Sequence, residues 1–336
     1  MIIVLIKDQR DAKMSITETE LFFRKNREKG KEPFSVLIFK WIRVWVQAAR
    51  MPSQLYIFLP MLLGQSMAFI QGSFSWKIFV LCHLYGLFVQ LFIVFGNDIA
   101  DLETDKINRT HNVFSGGSRV LVNNFLSVKT LATAACFFGL LCLIIGFLLG
   151  WFYNNWGPLF LILTGLVLLW AYSFKPLRIS YRGGGEFLQM FGVGGLLPVI
   201  GYLAQHGSLS GISWPLIGLM LLLALTCAMS TSLPDEPSDK VSSKKSSTVL
   251  LGNLNNQKLI LALNGIALFV LLLIPVRGLR SPDLFFIVVL SFVLWISGIW
   301  FLDSRPGSQG LLVFVALSVS FSLVPMAGLS LILFFR

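Results

Sequence analysis

Nine long apolar stretches limit what this chain of 336 residues can fold into. Each is long enough to cross the hydrocarbon core of a bilayer as a helix, which takes about 20 residues. Only 13% of the residues are charged and the mean hydropathy is +0.77, whereas soluble domains are about 25% charged. We therefore predict an all-α polytopic membrane bundle of nine transmembrane helices around a central cavity. The predicted spans lie near residues 53–71, 76–97, 128–150, 156–174, 187–205, 212–233, 259–276, 284–302 and 311–335.

Basic residues are concentrated on one side of the predicted membrane. With alternating spans, 23 of the 27 Lys and Arg residues fall in the N-terminal region and in every second gap. The other side receives Lys77, Arg277, Arg280 and Arg336. Because cytoplasmic loops carry the excess of Lys and Arg, we expect a cytoplasmic N-terminus, a C-terminus on the opposite side, and a cavity open to the cytoplasm. The expected location is the bacterial inner membrane or an equivalent membrane.

The change in composition near the first span predicts two regions. Residues 1–44 carry many charges of both signs and are interpreted as a cytoplasmic tail, and residues 45–336 as one transmembrane domain. The net charge of +11 lies mostly in the tail and in short gaps between apolar runs. Because a nucleic-acid surface needs contiguous basic area, the expected surroundings are membrane lipid and no nucleic-acid partner is predicted.

Acidic residues cluster in two short windows. Ten of the 16 acids lie outside the tail, and seven of these ten fall in a window that begins at Asn97 or in one that begins at Asp235. Asn97, Asp101 and Asp105 are spaced i, i+4, i+8, which places them on one helical face, and Asp239 repeats the step from Asp235. A single acidic row usually only solvates a helix end, but two matching rows on the same membrane side favour a shared site. Carboxylates together with substrate phosphates suit Mg²⁺.

Basic residues surround both acidic windows. Each alone is explained by the charge bias that sets topology, but together they favour a diphosphate site, since metal plus Lys and Arg donors is a common way to neutralise such a leaving group. The candidate diphosphate ligands are Arg109, Arg119, Lys175, Lys240 and Lys244.

The acidic windows resemble the motifs of a known family. Asn97-Asp-x-x-Asp-x-x-x-Asp105 is similar to the first aspartate motif of the UbiA superfamily of intramembrane aromatic prenyltransferases, and Asp235-x-x-x-Asp239 to a shortened second motif. The stretches 115–121 and 181–186 are most similar to the MenA-type branch, which prenylates 1,4-dihydroxy-2-naphthoate. Pro237 allows a regular helix in the second window only if it lies in the first turn.

The resemblance implies Mg²⁺-dependent transfer of a polyprenyl group from an isoprenoid diphosphate to an aromatic acceptor, 1,4-dihydroxy-2-naphthoate in menaquinone or phylloquinone biosynthesis. It implies that Asp98, Asp101 and Glu186 are catalytic, with Glu186 or Asp98 accepting the ring proton, and that Asn97 assists diphosphate binding. The implied metal ligands are Asp101, Asp105, Asp235 and Asp239.

Other interpretations remain open. Within the family the acceptor could be 4-hydroxybenzoate, homogentisate or haem. Another class is a polytopic transporter, but transport sites usually place charges or broken helices near the bilayer midplane, whereas here the acids lie at one edge. A CDP-alcohol enzyme is a third alternative, although the aspartate spacing fits that family's motif poorly.

Overall fold

The protein is described by a computed structural model over residues 34–274 and 281–335. Within these ranges the chain is helical and contains no β-strand, which confirms the predicted all-α class for this part. Most of the predicted tail lies outside the described residues. So do Arg277, Arg280 and Arg336, three of the four cations expected on the outer side.

The described chain forms fourteen α-helices, with its longest connection at residues 108–127. In chain order they are α1 Phe34–Ala48, α2 Leu55–Phe69, α3 Trp76–Ala100, α4 Leu102–Ile107, α5 Val128–Tyr153, α6 Gly157–Ser173, α7 Gly185–Gln189, α8 Leu197–His206, α9 Trp214–Ser232, α10 Glu236–Val241, α11 Ser247–Leu251, α12 Asn253–Leu273, α13 Ser281–Ile299 and α14 Gln309–Phe334. A π-helical segment, Met190–Leu196, joins α7 to α8, and a 3-10 turn, Leu233–Asp235, joins α9 to α10.

Six helical stretches are long and apolar enough to cross a bilayer within the described ranges. They are α3, α5, α12, α14 and the continuous stretches Gly185–His206 and Trp214–Val241. The apolar helices α2 and α6 are shorter, as is the Leu284–Ile299 part of α13. All nine predicted stretches are mainly helical, but a count of nine spans stays a prediction.

The N-terminal helix α1 precedes the first predicted span, in a segment where the sequence predicts no helix. A compact unit begins at Ala48, close to the boundary that the sequence places after residue 44, and that division stays a prediction. Lys40, Arg43 and Gln47 recur at helical spacing in an otherwise apolar segment, a pattern typical of an amphipathic helix. Residues 34–44, interpreted as tail from their charges, are therefore helical.

Glycines allow the central helices to approach closely. A Cβ on Gly64 of α2 would lie 2.0 Å from the carbonyl oxygen of Pro198 in α8, and one on Gly194 would lie 2.5 Å from the carbonyl oxygen of Met220 in α9. Small residues let helix backbones meet in this way in membrane proteins. The contacts fix the stretch that begins with α7 against both α2 and α9.

The two acidic windows are brought together by helix ends. The first window crosses the end of α3 into α4, and the second follows the end of α9 into α10. The short helices α4 and α10 pack against each other. The windows therefore meet although 130 residues of sequence separate Asp105 from Asp235.

Candidate active site

Both acidic windows line one cavity of about 140 Å³ at the C-terminal ends of α3 and α9. Its lining includes all four carboxylates proposed from the sequence to hold a metal, Asp101, Asp105, Asp235 and Asp239. The other polar residues of the lining that bear on its chemistry are Arg50, Asn97, Asn108, Tyr172, Glu186, Gln189 and Lys244. The cavity thus joins acids, amides and cations from six separate parts of the chain.

Asp101 is held by a lysine and a tyrosine. Its Oδ1 accepts a hydrogen bond from the Tyr181 hydroxyl at 3.0 Å, and its Oδ2 lies 2.9 Å from Lys244 Nζ. The lysine side chain is 15% exposed and the carboxylate 18%. Burial opposes the charge on Lys244, but the neighbouring acids, Asp101 first, outweigh it and raise the lysine pKa well above its usual value. Lys244 therefore carries its full positive charge inside the cavity.

Asp105 lies under a glycine loop. A Cβ on Gly117 would lie 2.1 Å from Asp105 Oδ2, and Gly117 has a positive φ of 70°. The guanidinium of Arg119 donates to the backbone carbonyl of Asp105. Burial, reinforced by the charge of Asp101 and opposed by Arg50, raises the pKa of the Asp105 carboxyl to about 7. The glycines thus allow the loop to close over a carboxylate that is crowded by other acids.

Asp98 is not part of the cavity lining, although its partner Arg50 is. Its carboxylate pairs with the Arg50 guanidinium and accepts hydrogen bonds from the backbone and hydroxyl of Ser118, and only 3% of its side chain is exposed. Arg50 itself has a left-handed backbone with φ 45°. The structure therefore gives Asp98 an anchoring contact, and the catalytic role assigned to it from the sequence stays a prediction.

The second window begins with a turn that an asparagine fixes. Asn108, from the loop after α4, donates to Asp235 Oδ1 at 2.6 Å. The Asn108 side-chain oxygen accepts from the backbone amide of Thr110 at 2.9 Å, and the Thr110 hydroxyl donates to the Pro234 carbonyl at 2.7 Å. One turn after the first window therefore clamps the start of the second.

The second window ends in the short helix α10. Pro237 lies in its first turn, as the sequence predicts, where a missing N–H costs no helical hydrogen bond. Asp239 is 2% exposed, and its Oδ1 has no hydrogen-bond partner among the described residues. A buried carboxylate oxygen without a partner is unusual, and it leaves Asp239 with capacity to bind a cation.

The wall formed by α6 and α7 supplies further polar groups. Glu186 lies in the first turn of α7, is 8% exposed, and its Oε1 accepts from the backbone amide of Ser247 at 2.6 Å. The Gln189 side chain donates to the Tyr172 hydroxyl at 3.2 Å. All three side chains line the cavity. They form a hydrogen-bonding surface beside the acids.

The predicted diphosphate ligands divide into two groups. Asn97 and Lys244 line the cavity, and Asn97 accepts from the Ser173 hydroxyl at 2.7 Å. The others do not line it: Arg109, Lys175 and Lys240 are exposed, and Arg119 contacts the backbone of Asp105. Lys240 instead pairs with Glu236 at 2.6 Å. Their roles as ligands stay predictions.

Sequence reasoning assigned no site role to four polar residues of the lining, Arg50, Asn108, Tyr172 and Gln189. It also assigned none to Tyr181, which lies outside the lining and reaches the site through its bond to Asp101. Arg50 lies in a stretch, 49–52, that resembles the opening of the family's first helix, and Tyr172 in a shortened form of a Tyr-x-x-x-Lys element of the family, but neither resemblance assigned a contact to the side chain. Asn108 follows Asp105 at i+3, which continues the row of the first window and could have indicated its part in the site. Nothing in the sequence indicates the contacts of Gln189.

The donor set fits a hard divalent cation. Four carboxylates from two windows share the cavity, and such ions prefer oxygen ligands. Within the described ranges, no three Cys, His, Asp or Glu side chains form a preassembled metal site. Lys244 contacts Asp101 and Asn108 contacts Asp235 in this arrangement. The unpartnered Oδ1 of Asp239 is the observation that most favours a cation here.

Comparison with known proteins gives consistent matches. Residues 57–332 match the UbiA prenyltransferase family. The 2-carboxy-1,4-naphthoquinone phytyltransferase of Synechocystis sp. is 26% identical over 251 residues, which cover 71% of this chain and 76% of that protein.

Solved structures share the fold. A UbiA homologue from Archaeoglobus fulgidus bound to DMAPP and Mg²⁺ superposes with a TM-score of 0.63 at 19% identity, covering 85% of this chain and 99% of that one. The apo UbiA homologue from Aeropyrum pernix K1 gives a TM-score of 0.62 at 17% identity, covering 81% and 96%. The family match spans both aspartate windows and most of the helices, and it confirms the resemblance drawn from the aspartate motifs. The chain is a prenyltransferase that belongs to the UbiA family.

Proposed function

We propose that this chain transfers a polyprenyl group from an isoprenoid diphosphate to 1,4-dihydroxy-2-naphthoate, in menaquinone or phylloquinone biosynthesis. The main support is the meeting of both acidic windows on one cavity. The naphthoquinone phytyltransferase of Synechocystis favours a naphthalene acceptor, and the Archaeoglobus homologue bound to DMAPP and Mg²⁺ favours a prenyl diphosphate with a metal. The acids, amides and cations that line the cavity suit both the prenyl diphosphate with its metal and the aromatic acceptor.

The acidic end of the cavity is the proposed diphosphate site. Asp101, Asp105, Asp235 and Asp239 are the proposed Mg²⁺ ligands. Mg²⁺, when bound, supplies positive charge that neutralises the diphosphate. Lys244 and Asn97 already lie on the wall, and they are the proposed donors to phosphate oxygens.

The reaction breaks the C1–O bond of the prenyl diphosphate, and the electron pair leaves with the diphosphate. A ring carbon of the acceptor forms the new bond to C1. The ring proton then passes to the Glu186 carboxylate, which the Ser247 amide holds in place. Tyr172 and Gln189 are the proposed contacts to the acceptor's hydroxyl groups, because both present polar atoms to the same cavity.

The surrounding bundle suits this chemistry. An allylic cation reacts with water unless water is excluded, and the helices that enclose the cavity are largely apolar. We propose nine spans with the N-terminus in the cytoplasm and the cavity open to that side. The charged diphosphate then enters from water while the prenyl tail lies among apolar helices.

The test is prenyl transfer by the purified protein. Labelled polyprenyl diphosphate is incubated with 1,4-dihydroxy-2-naphthoate, 4-hydroxybenzoate, homogentisate or haem, with Mg²⁺ or with a chelator. We expect Mg²⁺-dependent product with the naphthoate, and a loss of at least about 1000-fold in Asp101→Asn, since transition-state charge is no longer neutralised. Glu103→Gln is the matched control, because Glu103 lies on the same turn but is 82% exposed.

Two outcomes would contradict the proposal. Absence of transfer to every acceptor, with wild type and Asp101→Asn alike, rejects prenyl transfer at this cavity. Faster transfer to another acceptor than to the naphthoate rejects the proposed substrate but keeps the reaction class.

A further inference from the structure

Lys244 connects the two acidic windows. Its backbone amide donates to the carbonyl oxygen of Asp239 at 2.9 Å, while its side-chain Nζ lies 2.9 Å from Asp101 Oδ2. The residue before it, Ser243, adopts a left-handed backbone with φ 59°. The loop after α10 thus turns sharply and directs a cation from the second window onto a carboxylate of the first.

The position of this ammonium group is that of a counter-ion for several acids. Lys244 lines the cavity together with Asp101, Asp105, Asp235 and Asp239, and its side chain is only 15% exposed. Carboxylates gathered in a low-dielectric cavity repel one another unless a cation lies among them. In the described structure Lys244 provides that charge at one of the acids assigned to the metal.

The Lys244 ammonium group and a bound metal would compete for the same oxygen, Asp101 Oδ2. Both oxygens of Asp101 already have a donor, Lys244 at 2.9 Å from Oδ2 and Tyr181 at 3.0 Å from Oδ1. A divalent ion on Oδ2 would lie close to the ammonium group and repel it, so binding of the metal weakens the contact with Lys244. A lysine suits such an exchange, since it is a compact charge on a flexible four-carbon stem with three donors. The ammonium group released from Asp101 remains beside the cavity, where a phosphate oxygen is its natural next partner.

We propose that Lys244 holds the place of the divalent cation on Asp101 when the cavity is empty, and moves from this carboxylate to the diphosphate when metal and substrate bind. This proposal rests on the proposed function, because it assigns Asp101 to the metal. Lys244 is then both a competitor of the metal alone and a partner of the metal–diphosphate pair. In a binding experiment, the first role weakens binding of the metal alone, and the second strengthens binding of the metal together with the diphosphate.

The first experiment measures metal binding without substrate. Mn²⁺ is titrated into the purified full-length protein and the free ion is followed by electron paramagnetic resonance. We expect Lys244→Met to bind Mn²⁺ at least tenfold more tightly than wild type, and Lys244→Arg to remain within about threefold of wild type because it keeps a cation. With inorganic pyrophosphate present, we expect the order of affinities to reverse, so that Lys244→Met binds Mn²⁺ together with pyrophosphate more weakly than wild type does.

Lys106→Met is the matched control. Lys106 also pairs with a carboxylate at 2.8 Å, Glu103, but both side chains are exposed and neither lines the cavity. Its Mn²⁺ affinity should equal that of wild type. An equal gain in Lys106→Met would mean that overall charge, rather than the contact with Asp101, controls metal affinity, and it would overturn the proposal.

A second measurement uses wild type alone and so does not depend on the folding of a variant. Lysine acetylation is followed by mass spectrometry with no addition, with Mn²⁺, and with Mn²⁺ plus pyrophosphate. We expect Lys244 to react faster with Mn²⁺ alone and more slowly again with pyrophosphate, while Lys106 stays constant. A Lys244 rate unchanged by Mn²⁺ would overturn the proposal.

The outcomes separate this proposal from the proposed function. Mn²⁺ affinity equal to or below that of wild type in a folded Lys244→Met variant rejects the exchange of lysine for metal, while Mg²⁺-dependent prenyl transfer would still stand. No Mn²⁺ binding by any variant, with no prenyl transfer, rejects both.

Discussion

The two acidic windows have the same spacing but differ in the groups that hold them. In the first window Asp98 pairs with Arg50, and Asp101 pairs with Lys244. In the second window Asp235 accepts from the neutral amide of Asn108. The carboxylates assigned to the metal thus differ in their contacts: Asp101 contacts a cation of the protein, Asp235 contacts a neutral amide, and Asp239 Oδ1 has no partner among the described residues.

The two acidic windows also differ in the regularity of their backbones. The first window passes from α3 to α4 with only Asp101 between the two helices, whereas the second is split between a 3-10 turn and the six-residue helix α10, with prolines at 234 and 237. Because Asp235 accepts from a neutral amide and Asp239 Oδ1 has no partner among the described residues, these two carboxylates have spare capacity as ligands, whereas Glu236 pairs with Lys240. The two windows therefore have similar carboxylates but different contacts: the first contains an ion pair that anchors the fold, and the second contains carboxylates with capacity to bind a ligand.

The largest expected effect separates Asp98 from Asp239. Asp98→Asn leaves the Arg50 guanidinium without its counter-ion. Breaking a buried pair costs about 3–5 kcal/mol, and we expect about 2 kcal/mol here, because the Arg50 side chain is 31% exposed. Asp239→Asn removes a charge that has an unpartnered oxygen, and should lower prenyl transfer at least about 100-fold while stability is retained.

Thermal unfolding and turnover, measured on the same two preparations, check this contrast. Equal losses of stability in both variants would contradict the division between an anchoring and a ligand-binding window. Equal losses of turnover without any loss of stability in Asp98→Asn would instead restore the catalytic role predicted for Asp98.

The next effect concerns the loop over Asp105. Gly117→Ala should lower transfer by about 10-fold to 100-fold, because the new methyl group would lie 2.1 Å from Asp105 Oδ2 and the backbone has φ 70°. A displacement of about 1 Å at a catalytic group can cost this much. Gly218→Ala is the control, since nothing lies within 4 Å of its Cβ. Wild-type turnover in Gly117→Ala would show that the close approach has no part in the reaction.

A smaller effect tests the turn between the windows. Asn108→Ala removes a hydrogen bond to a carboxylate, worth about 1.5–3 kcal/mol, so kcat/KM should fall about tenfold, mainly through KM for the diphosphate. Thr110→Val removes the hydroxyl contacts with the Pro234 carbonyl and the Asn108 side-chain oxygen. Each contact is to a neutral group and is worth about 1 kcal/mol, and the bond from Asn108 to Asp235 is retained, so kcat/KM should change less. If the two variants are equal in steady-state kinetics, the Asn108 amide has no special part in holding Asp235.

The sequence predicts the fold better than it predicts the partners in the site. Apolar length locates all nine helical stretches, because a membrane helix satisfies its own backbone and needs only an apolar run. It misses the early start of α1, where charged residues at helical spacing look like a tail. It also misses the π-helical segment 190–196, whose glycines serve contacts with α9 that no local pattern reveals.

The spacing of the acids predicts that they share a cavity, but not what neutralises them. Lys244 lies 143 residues from Asp101, and Asn108 lies 127 residues from Asp235. A list of nearby cations cannot distinguish Lys244, which points into the cavity, from Lys240, which pairs with Glu236 one helical turn earlier. Charge composition sets membrane side, whereas the direction of each side chain depends on tertiary packing.

The smallest expected effect is the pH dependence of protein stability in the absence of metal. It tests the comparison of the two windows because Asp105 belongs to the first window, in which Asp98 and Asp101 pair with cations, yet Asp105 itself has no such pair among the described residues. Its pKa is about 7 in the fold against an ordinary value of 3.8. A raised acid pKa means that the folded state binds the proton more tightly, so the stability from this group is complete below pH 3.8 and is lost as pH rises through about 7. The difference of about three pKa units limits the change in the free energy of unfolding to about 4 kcal/mol, and coupling to Asp101 makes the expected change smaller.

We expect the unfolding midpoint of metal-free wild type, relative to that of Asp105→Asn, to fall by a few degrees between pH 5.5 and 8. The control Glu103→Gln should behave as wild type. A constant difference between wild type and Asp105→Asn across this range would mean that Asp105 is already ionised at pH 5.5, and that a cation of the first window neutralises it after all.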